Sequence, residues 1–349
     1  MTIETAPTAR PMLGVFMPTG SGAFSISTHP RSTVPTWEYN RAVALRAEAA
    51  GFDFLLAGAR WSTLGGRMDF QGLRLESMTF ITALAAVTNR VLLFPTVHTF
   101  VFHPLLAARM VNDANRISGG RCGINVVSGW VQSDFAMFGV TPRPPAERLQ
   151  YNTEWLRLLK LAWTEDDFTF DGTHFQARNG YLRPKPVPFP TISKAGESAE
   201  SRELVIREAD WLFIQLPQAT DVLRSRVQAL KSDAARLGRR VKVLSYGFVL
   251  PRRTREDALR ARDAILEAGD LEAARNMGRQ RGWGPSHEDP EELKSIVLSL
   301  GTRAFIGSPE EIAADLRTYF ATGLDGLLFT FYDYEEDLGL FIGEILPLL

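Results

Sequence analysis

Asn125 is the one polar residue in an apolar run, Gly123-Ile124-Asn125-Val126-Val127, which follows Gly119-Gly120 and ends at Ser128-Gly129-Trp130. The run reads as a buried strand, and a buried amide must find partners for two donors and two acceptor lone pairs. Asn125 is therefore either a satisfied core residue or a group aimed at a ligand. Metal chemistry is poorly supplied. The five histidines, His29, His98, His103, His174 and His287, form no His-x-His and no helical i,i+4 pair, whereas a metallohydrolase needs several ligands converging on one ion. A serine nucleophile lacks its Gly-x-Ser-x-Gly turn. The single cysteine, Cys122, excludes an internal disulfide framework and falls in the buried run, as an inert core thiol would.

The elements that must position such residues alternate in type. Residues 13–17, 54–57, 91–96 and 123–127 form near-continuous apolar strands, and helical spacing runs over 37–50, 75–88 and 104–117. Thr36 caps the first helix and Gly51 ends it, while Pro104 suits a first helical turn. Strands buried on both faces and separated by helices are the mark of a parallel sheet. A helix over 146–163 follows, then a hairpin and connector at Asp171-Gly172 and 183–190. Further strands are expected over 191–194, 211–214, 242–249 and 326–331. Ser308-Pro309-Glu310-Glu311 combines an N-cap, a first-position proline and a capping-box glutamate ahead of the last strand.

Eight strands with intervening helices predict a (β/α)8 TIM barrel, an α/β fold, spanning 1–349 as one domain. An open doubly wound sheet would want a Gly-rich fingerprint after its first strand, and none is there. Residues 252–300 are too long for a simple connection and predict a partly helical lid inserted after strand seven, with hinges near Gly282 and Gly284. The formal net charge of −1 gives no reason to expect nucleic acid or an anionic membrane. No apolar run reaches membrane-spanning length, and residues 1–11 lack the order of a signal peptide, so a cytoplasmic protein is expected.

Barrel active sites lie at the C-terminal ends of the strands. Those ends collect Thr19 and Ser21, Arg60, Thr96 and His98, Asn125, Ser128 and Trp130, Gly196 and Ser198, Gln215, Tyr332 and Asp333. There are no paired carboxylates and one histidine, His98, which is either a hydrogen-bonded structural residue or a base. A neutral, aromatic-rich mouth suits a large planar cofactor that carries its own reactivity. Ala195-Gly196-Glu197-Ser198 offers small residues and free amides at a helix start, which is either a phosphate site or an ordinary cap.

On these motifs the chain resembles the bacterial luciferase-like flavin-dependent monooxygenases. It is most similar to the subgroup of pyrimidine and dimethylsulfone monooxygenases, with alkanesulfonate monooxygenases as relatives. The likeness runs from Gly14-Val15-Phe16-Met17-Pro18 to Leu346-Pro347-Leu348. Its most specific pieces are Ile26-Ser27-Thr28-His29, Ser118-Gly119-Gly120-Arg121 through Trp130, Asp167-Phe168-Thr169-Phe170-Asp171-Gly172, Arg183-Pro184-Lys185-Pro186 and Ile306-Gly307-Ser308-Pro309.

The resemblance implies a barrel that takes reduced FMN (FMNH2) from a separate NAD(P)H-dependent flavin reductase and reacts it with O2. A flavin peroxide or oxide would then cleave a carbon–heteroatom bond in a small sulfone, sulfonate or cyclic amide. It implies Asn125 and Thr96 as catalytic residues that place oxygen. It implies Ala59, Arg60, Thr96, Asn125, Asp134, Arg148 and Ser198 as cofactor contacts, although Asp134 replaces a family glutamate and Leu149 a tyrosine beside Arg148. A homodimer or homotetramer is expected. Other readings are a deazaflavin-dependent hydride-transfer oxidoreductase on the same barrel and a non-catalytic flavin-binding protein. Phe24, Ile26, His29, Trp61, His98, Phe100, Trp130 and Phe331 are the candidate substrate pocket. Their apolar character leans away from a strongly anionic substrate, with Arg60, Arg279 and Arg281 as the residues that would change this.

Overall fold

The structure, a computed structural model, describes residues 10–281 and 289–349. In chain order its strands are β1 (Met12–Phe16), β2 (Phe54–Ala57), β3 (Leu92–His98), β4 (Ile124–Val127), β5 (Phe168–Asp171), β6 (Gln176–Gly180), β7 (Ile192–Ala195), β8 (Trp211–Gln215), β9 (Lys242–Pro251), β10 (Ala304–Gly307) and β11 (Gly326–Phe331). Eight of them close a parallel barrel in the order β1-β2-β3-β4-β7-β8-β9-β11, with β11 pairing back onto β1. This is the expected TIM barrel.

Alternation within each strand sends one set of side chains to the barrel axis and the other to the helices. The axis is filled by a cluster that includes Phe54, Leu56, Phe94, Trp211, Phe213 and Leu328. The Trp211 ring lies 4.8 Å from Phe94 and 6.0 Å from Phe54. Gly14 makes this filling possible, because a Cβ there would stand 2.7 Å from both Phe54 and Leu328. The outward set joins the helices in the main core, where Trp155 and Trp163 of the helix Pro145–Thr164 are fully buried. Their indole N–H groups donate to Phe102 O at 2.8 Å and Ala108 O at 3.0 Å, so neither burial leaves a polar group unpaired.

The expected hairpin at Asp171-Gly172 is made by β5 and β6, antiparallel outside the barrel, and 183–190 is its connector. The strand β10 was not expected. It pairs with the last residues of β9, whose opposite edge is held there by β11, and so extends the edge that β8 leaves.

The insertion over 252–300 contains the helices Arg255–Glu267, Leu271–Gln280 and Pro290–Ser299. It has a small core of its own, in which Ala273, Met277, Ile296 and Val297 pack on Ile26, Leu64 and Phe70 from the loops after β1 and β2. Backbone bonds reinforce the contact, with Ile26 N donating to Val297 O at 2.7 Å and Asp270 N to Ile26 O at 2.9 Å. The Asp270 carboxylate caps the helix Leu271–Gln280 and also accepts from Met68 N at 3.0 Å. The expected hinges Gly282 and Gly284 lie outside the described residues.

Candidate active site

Parallel pairing sets Thr96 on β3 beside Asn125 on β4, and Asn125 beside Ser193 on β7. The Asn125 side-chain amide donates to Thr96 Oγ1 at 2.9 Å, while its carbonyl oxygen is buried and has no partner. Thr96 is itself fixed from behind. Its backbone N–H donates to Ser77 Oγ, which donates on to Ala57 O, both at 2.8 Å, tying β3 to β2.

The pair faces a central cavity of about 210 Å³ at the C-terminal mouth of the barrel. Phe16, Phe24, Phe213 and Tyr246 supply aromatic walls, with Phe16 4.4 Å from Phe24 and Phe213 stacked on Tyr246 at 5.7 Å. Met277, Arg281 and Leu300 reach in from the insertion. Ala59, Arg60, Arg74 and Gln71 come from the segment after β2, and His98 from the end of β3.

His98 is 5 % exposed, and its Nδ1 accepts from the Trp61 indole N–H at 3.1 Å. Burial, reinforced by the charges of Arg60, Arg74 and Lys194, pushes its pKa down to about 3. The ring is therefore neutral near pH 7, with its proton on Nε2 as a donor. Arg60 stacks over the Trp130 ring at 4.6 Å, and Arg281 lies 5.2 Å from the same ring. Burial pulls the Arg60 guanidinium down to about 10, with Asp134 opposing the shift. Burial and then the charge of Arg60 bring Arg74 to about 9. Both remain cationic at neutral pH.

A second cavity of about 290 Å³ shares Trp130 and Arg281 with the first, and is lined also by Thr99, Ser128, Arg143, Arg148, Tyr151 and Asn152. Arg148 is paired with Glu200, which also accepts from Asn152 at 3.2 Å. Asn152 donates to Ser128 Oγ at 2.9 Å and accepts from the Thr99 hydroxyl at 2.8 Å. Arg143 lies over the Tyr151 ring at 3.8 Å. Nearby, the buried Lys194 ammonium donates to Ala195 O at 2.7 Å. Burial pushes Lys194 down to about 8, the charge of Glu200 opposing and that of Arg148 adding to the shift.

The structure brings Phe24, Ala59, Arg60, Thr96, His98, Asn125 and Trp130 to the central cavity, and Phe100 and Arg148 to the second. Other expected residues line neither. Asp134 accepts from Trp61 N at 3.2 Å, Ser62 N at 2.7 Å and the Ser62 hydroxyl at 2.6 Å, so it anchors the loop that carries Arg60. Ser198 caps the helix Ala199–Glu208 by accepting from Ser201 N at 3.1 Å. Ile26 lies in the core beneath the insertion, and His29 faces the ring of Tyr332 at 5.9 Å. Trp61 acts behind His98. Phe331 is fully buried outside the barrel against Tyr334 and Phe341.

Sequence reasoning missed Phe16, which ends β1, and Phe213 and Tyr246, which lie within β8 and β9; all three join the inward-facing cluster of the barrel axis. It also missed Gln71 and Arg74, which arrive from a loop without periodicity, and Met277, which lies on the buried face of the helix Leu271–Gln280. Among the described residues no group of three or more His, Cys, Asp or Glu could hold a metal ion.

Comparison with known proteins follows the same lines. A family model described as luciferase-like monooxygenase matches residues 12–326. The pyrimidine monooxygenase of Stutzerimonas stutzeri is 31% identical over 351 positions, covering 97% of this chain and 96% of that protein. The FMNH2-dependent dimethylsulfone monooxygenase of Pseudomonas fluorescens is 30% identical, covering 96% and 93%. Among solved structures, a riboflavin lyase holding modified FMN and riboflavin superposes with a TM-score of 0.87 at 22% identity, over 97% of this chain and 91% of that one. A long-chain alkane monooxygenase gives 0.86 at 19%, over 97% and 91%.

Proposed function

The chain belongs to the luciferase-like monooxygenase family, and from that premise we propose that it is the oxygenase of a two-component system, fed with FMNH2 by an NAD(P)H-dependent flavin reductase. Its reaction is the oxygen-dependent cleavage of a carbon–heteroatom bond in a small organic substrate such as a sulfone, sulfonate or cyclic amide.

The residues present fit the cofactor. The aromatic walls suit a planar ring system, and the partnerless Asn125 carbonyl oxygen suits a ring N–H. The second cavity offers Arg148 and the Ser128 hydroxyl, which Asn152 orients, to a phosphate. Reduced FMN, when bound, supplies the electrons that activate dioxygen. What the chain adds is position and dryness. Asn125 and Thr96 present an acceptor and a hydroxyl donor that do not titrate, so they orient without exchanging protons. His98 stays neutral and donates from Nε2. Phe16, Phe24, Phe213 and Met277 keep water from the reacting atoms.

The observation that carries the reading is the Asn125–Thr96 pair, with one amide oxygen left over, at the C-terminal mouth of the barrel. The test mixes anaerobic protein and reduced FMN with 18O2 over a panel of sulfones, sulfonates and cyclic amides. Label in a cleaved product supports the proposal. Hydride transfer to substrate without oxygen uptake would replace it with the deazaflavin-type reading.

A further inference from the structure

The central cavity is unbalanced in charge. Arg60, Arg74 and Arg281 line it, and among the described residues no aspartate or glutamate does. The nearby carboxylate of Asp134 is already engaged by Trp61 N and by the backbone and hydroxyl of Ser62. Arg60 Nη1 and Arg74 Nε are both buried with no hydrogen-bond partner. A guanidinium held away from water without an acceptor is costly, and the cost is relieved when an anion arrives.

Arg74 is also specifically accommodated. A Cβ at Gly20 would stand 3.2 Å from its Nε, and one at Gly58 would stand 3.8 Å from its Nη2. Its fork thus lies between the ends of β1 and β2, where any larger residue at position 20 would crowd it. Beside it, Gln71 donates from Nε2 to Ala23 O at 2.7 Å and leaves its buried Oε1 without a partner. The same Gly20 Cβ would stand 2.4 Å from that oxygen. A cation and an unused acceptor therefore sit together against the apolar faces of Phe16, Phe24 and Phe70.

A reduced flavin brings one negative charge to the ring-binding region, and Arg60 on the Trp130 face can answer it. Arg74 remains. We propose that Arg74 is the receptor for an oxyanion on the substrate, a small organic carboxylate or sulfonate bound through the guanidinium fork. The assignment rests on the functional reading above and narrows its substrate class. It goes against the lean away from a strongly anionic substrate that the apolar pocket residues gave, a lean that Arg60, Arg279 and Arg281 left open. A planar fork matches an oxyanion in two parallel hydrogen bonds, and burial strengthens both.

The test uses FMN-loaded protein and four probes: methanesulfonate, propionate, dimethylsulfone and propionamide. Binding is read by the shift in Tm and by the flavin difference spectrum. At least one anion should bind about tenfold more tightly than its neutral isostere, and which anion prefers the site tells sulfonate from carboxylate. Arg74→Met should erase that preference, and Arg74→Lys should keep part of it. In both variants FMN affinity should stay within about threefold of the parent. Arg74→Met removes an unpaired buried charge, so it should fold with an equal or higher Tm. Equal binding of anions and neutral isosteres by the parent, or a preference intact in Arg74→Met, overturns the proposal. Failure of the functional reading looks different: FMN titration or oxygen uptake fails while flavin-free protein still prefers anions through Arg74.

Discussion

Asn125 donates its side-chain amide to the Thr96 hydroxyl at 2.9 Å, and the carbonyl oxygen of that same amide is buried without a partner. The two strands that carry them are hydrogen-bonded neighbours, so the pair is as rigid as the barrel wall. Half of the amide is spent on holding its own orientation, and the other half is held ready.

That division sets the outcome of Asn125→Ala. The substitution leaves only one Thr96 lone pair unmet, so the stability loss should be about 1 kcal/mol. Reduced-FMN affinity should stay within about tenfold, near 1.4 kcal/mol. Oxygenated product should fall much further while hydrogen peroxide release rises. A collapse of Tm with normal coupling in the surviving folded enzyme would make Asn125 a core residue instead.

His98 predicts an acid limb in stability. Its pKa is about 3 when folded and about 6.5 when unfolded, so below pH 6.5 the unfolded chain takes up a proton that the folded chain refuses. The contribution is fully present above pH 6.5 and is lost as pH falls towards 3. At pH 5 the loss is about 2 kcal/mol from this group. Urea titrations should show the decline, and His98→Gln should flatten it between pH 6.5 and 5.

The Arg148–Glu200 pair predicts how the phosphate end is recognised. Arg148→Ala should weaken FMN about tenfold and leave riboflavin unchanged, since a charge-assisted contact is worth roughly 1.5–3 kcal/mol. Glu200→Gln removes the carboxylate that occupies Arg148 and should tighten FMN. Fluorescence titration of both flavins decides the matter: equal losses for FMN and riboflavin in Arg148→Ala would remove the phosphate assignment.

Cys122 should be silent in the native state. It is 1% exposed, and burial pushes its thiol up to about 12. Ellman's reagent should modify it only through unfolding, so the labelling rate at pH 8 should rise with urea as the unfolded fraction does. Prompt labelling of the native protein would contradict the placement of β4.

Much of this architecture was legible because local signals and burial agree. The strand 54–57, the helix 104–117 and the strand 326–331 fall where periodicity and caps put them. Thr96 was legible as the polar end of one apolar strand and Asn125 as the one polar residue inside another, while the role of the pair came from the family resemblance. Phe331 shows where such reading stops. A parallel barrel strand is apolar on both faces, so alternation alone cannot say which side looks inward. β10 was missed because its four residues precede a helix cap and pair only with the end of β9. Arg74 depends on the close approach of Gly20 and Gly58, from segments far apart in the chain. The insertion reads as partly helical, but the core it forms with Ile26, Leu64 and Phe70 joins segments far apart in the chain.

The aromatic filling of the barrel axis has a bearing on traffic. Phe54, Phe94 and Trp211 close the passage beneath Asn125, so exchange with solvent goes by way of the mouth. A compartment with one door behaves as a last-in, first-out store. Whatever settles deepest can depart only after its later companion, and excess of the later one traps the earlier. Steady-state kinetics should therefore follow a compulsory order, with inhibition by whichever ligand arrives second when it is supplied at high concentration.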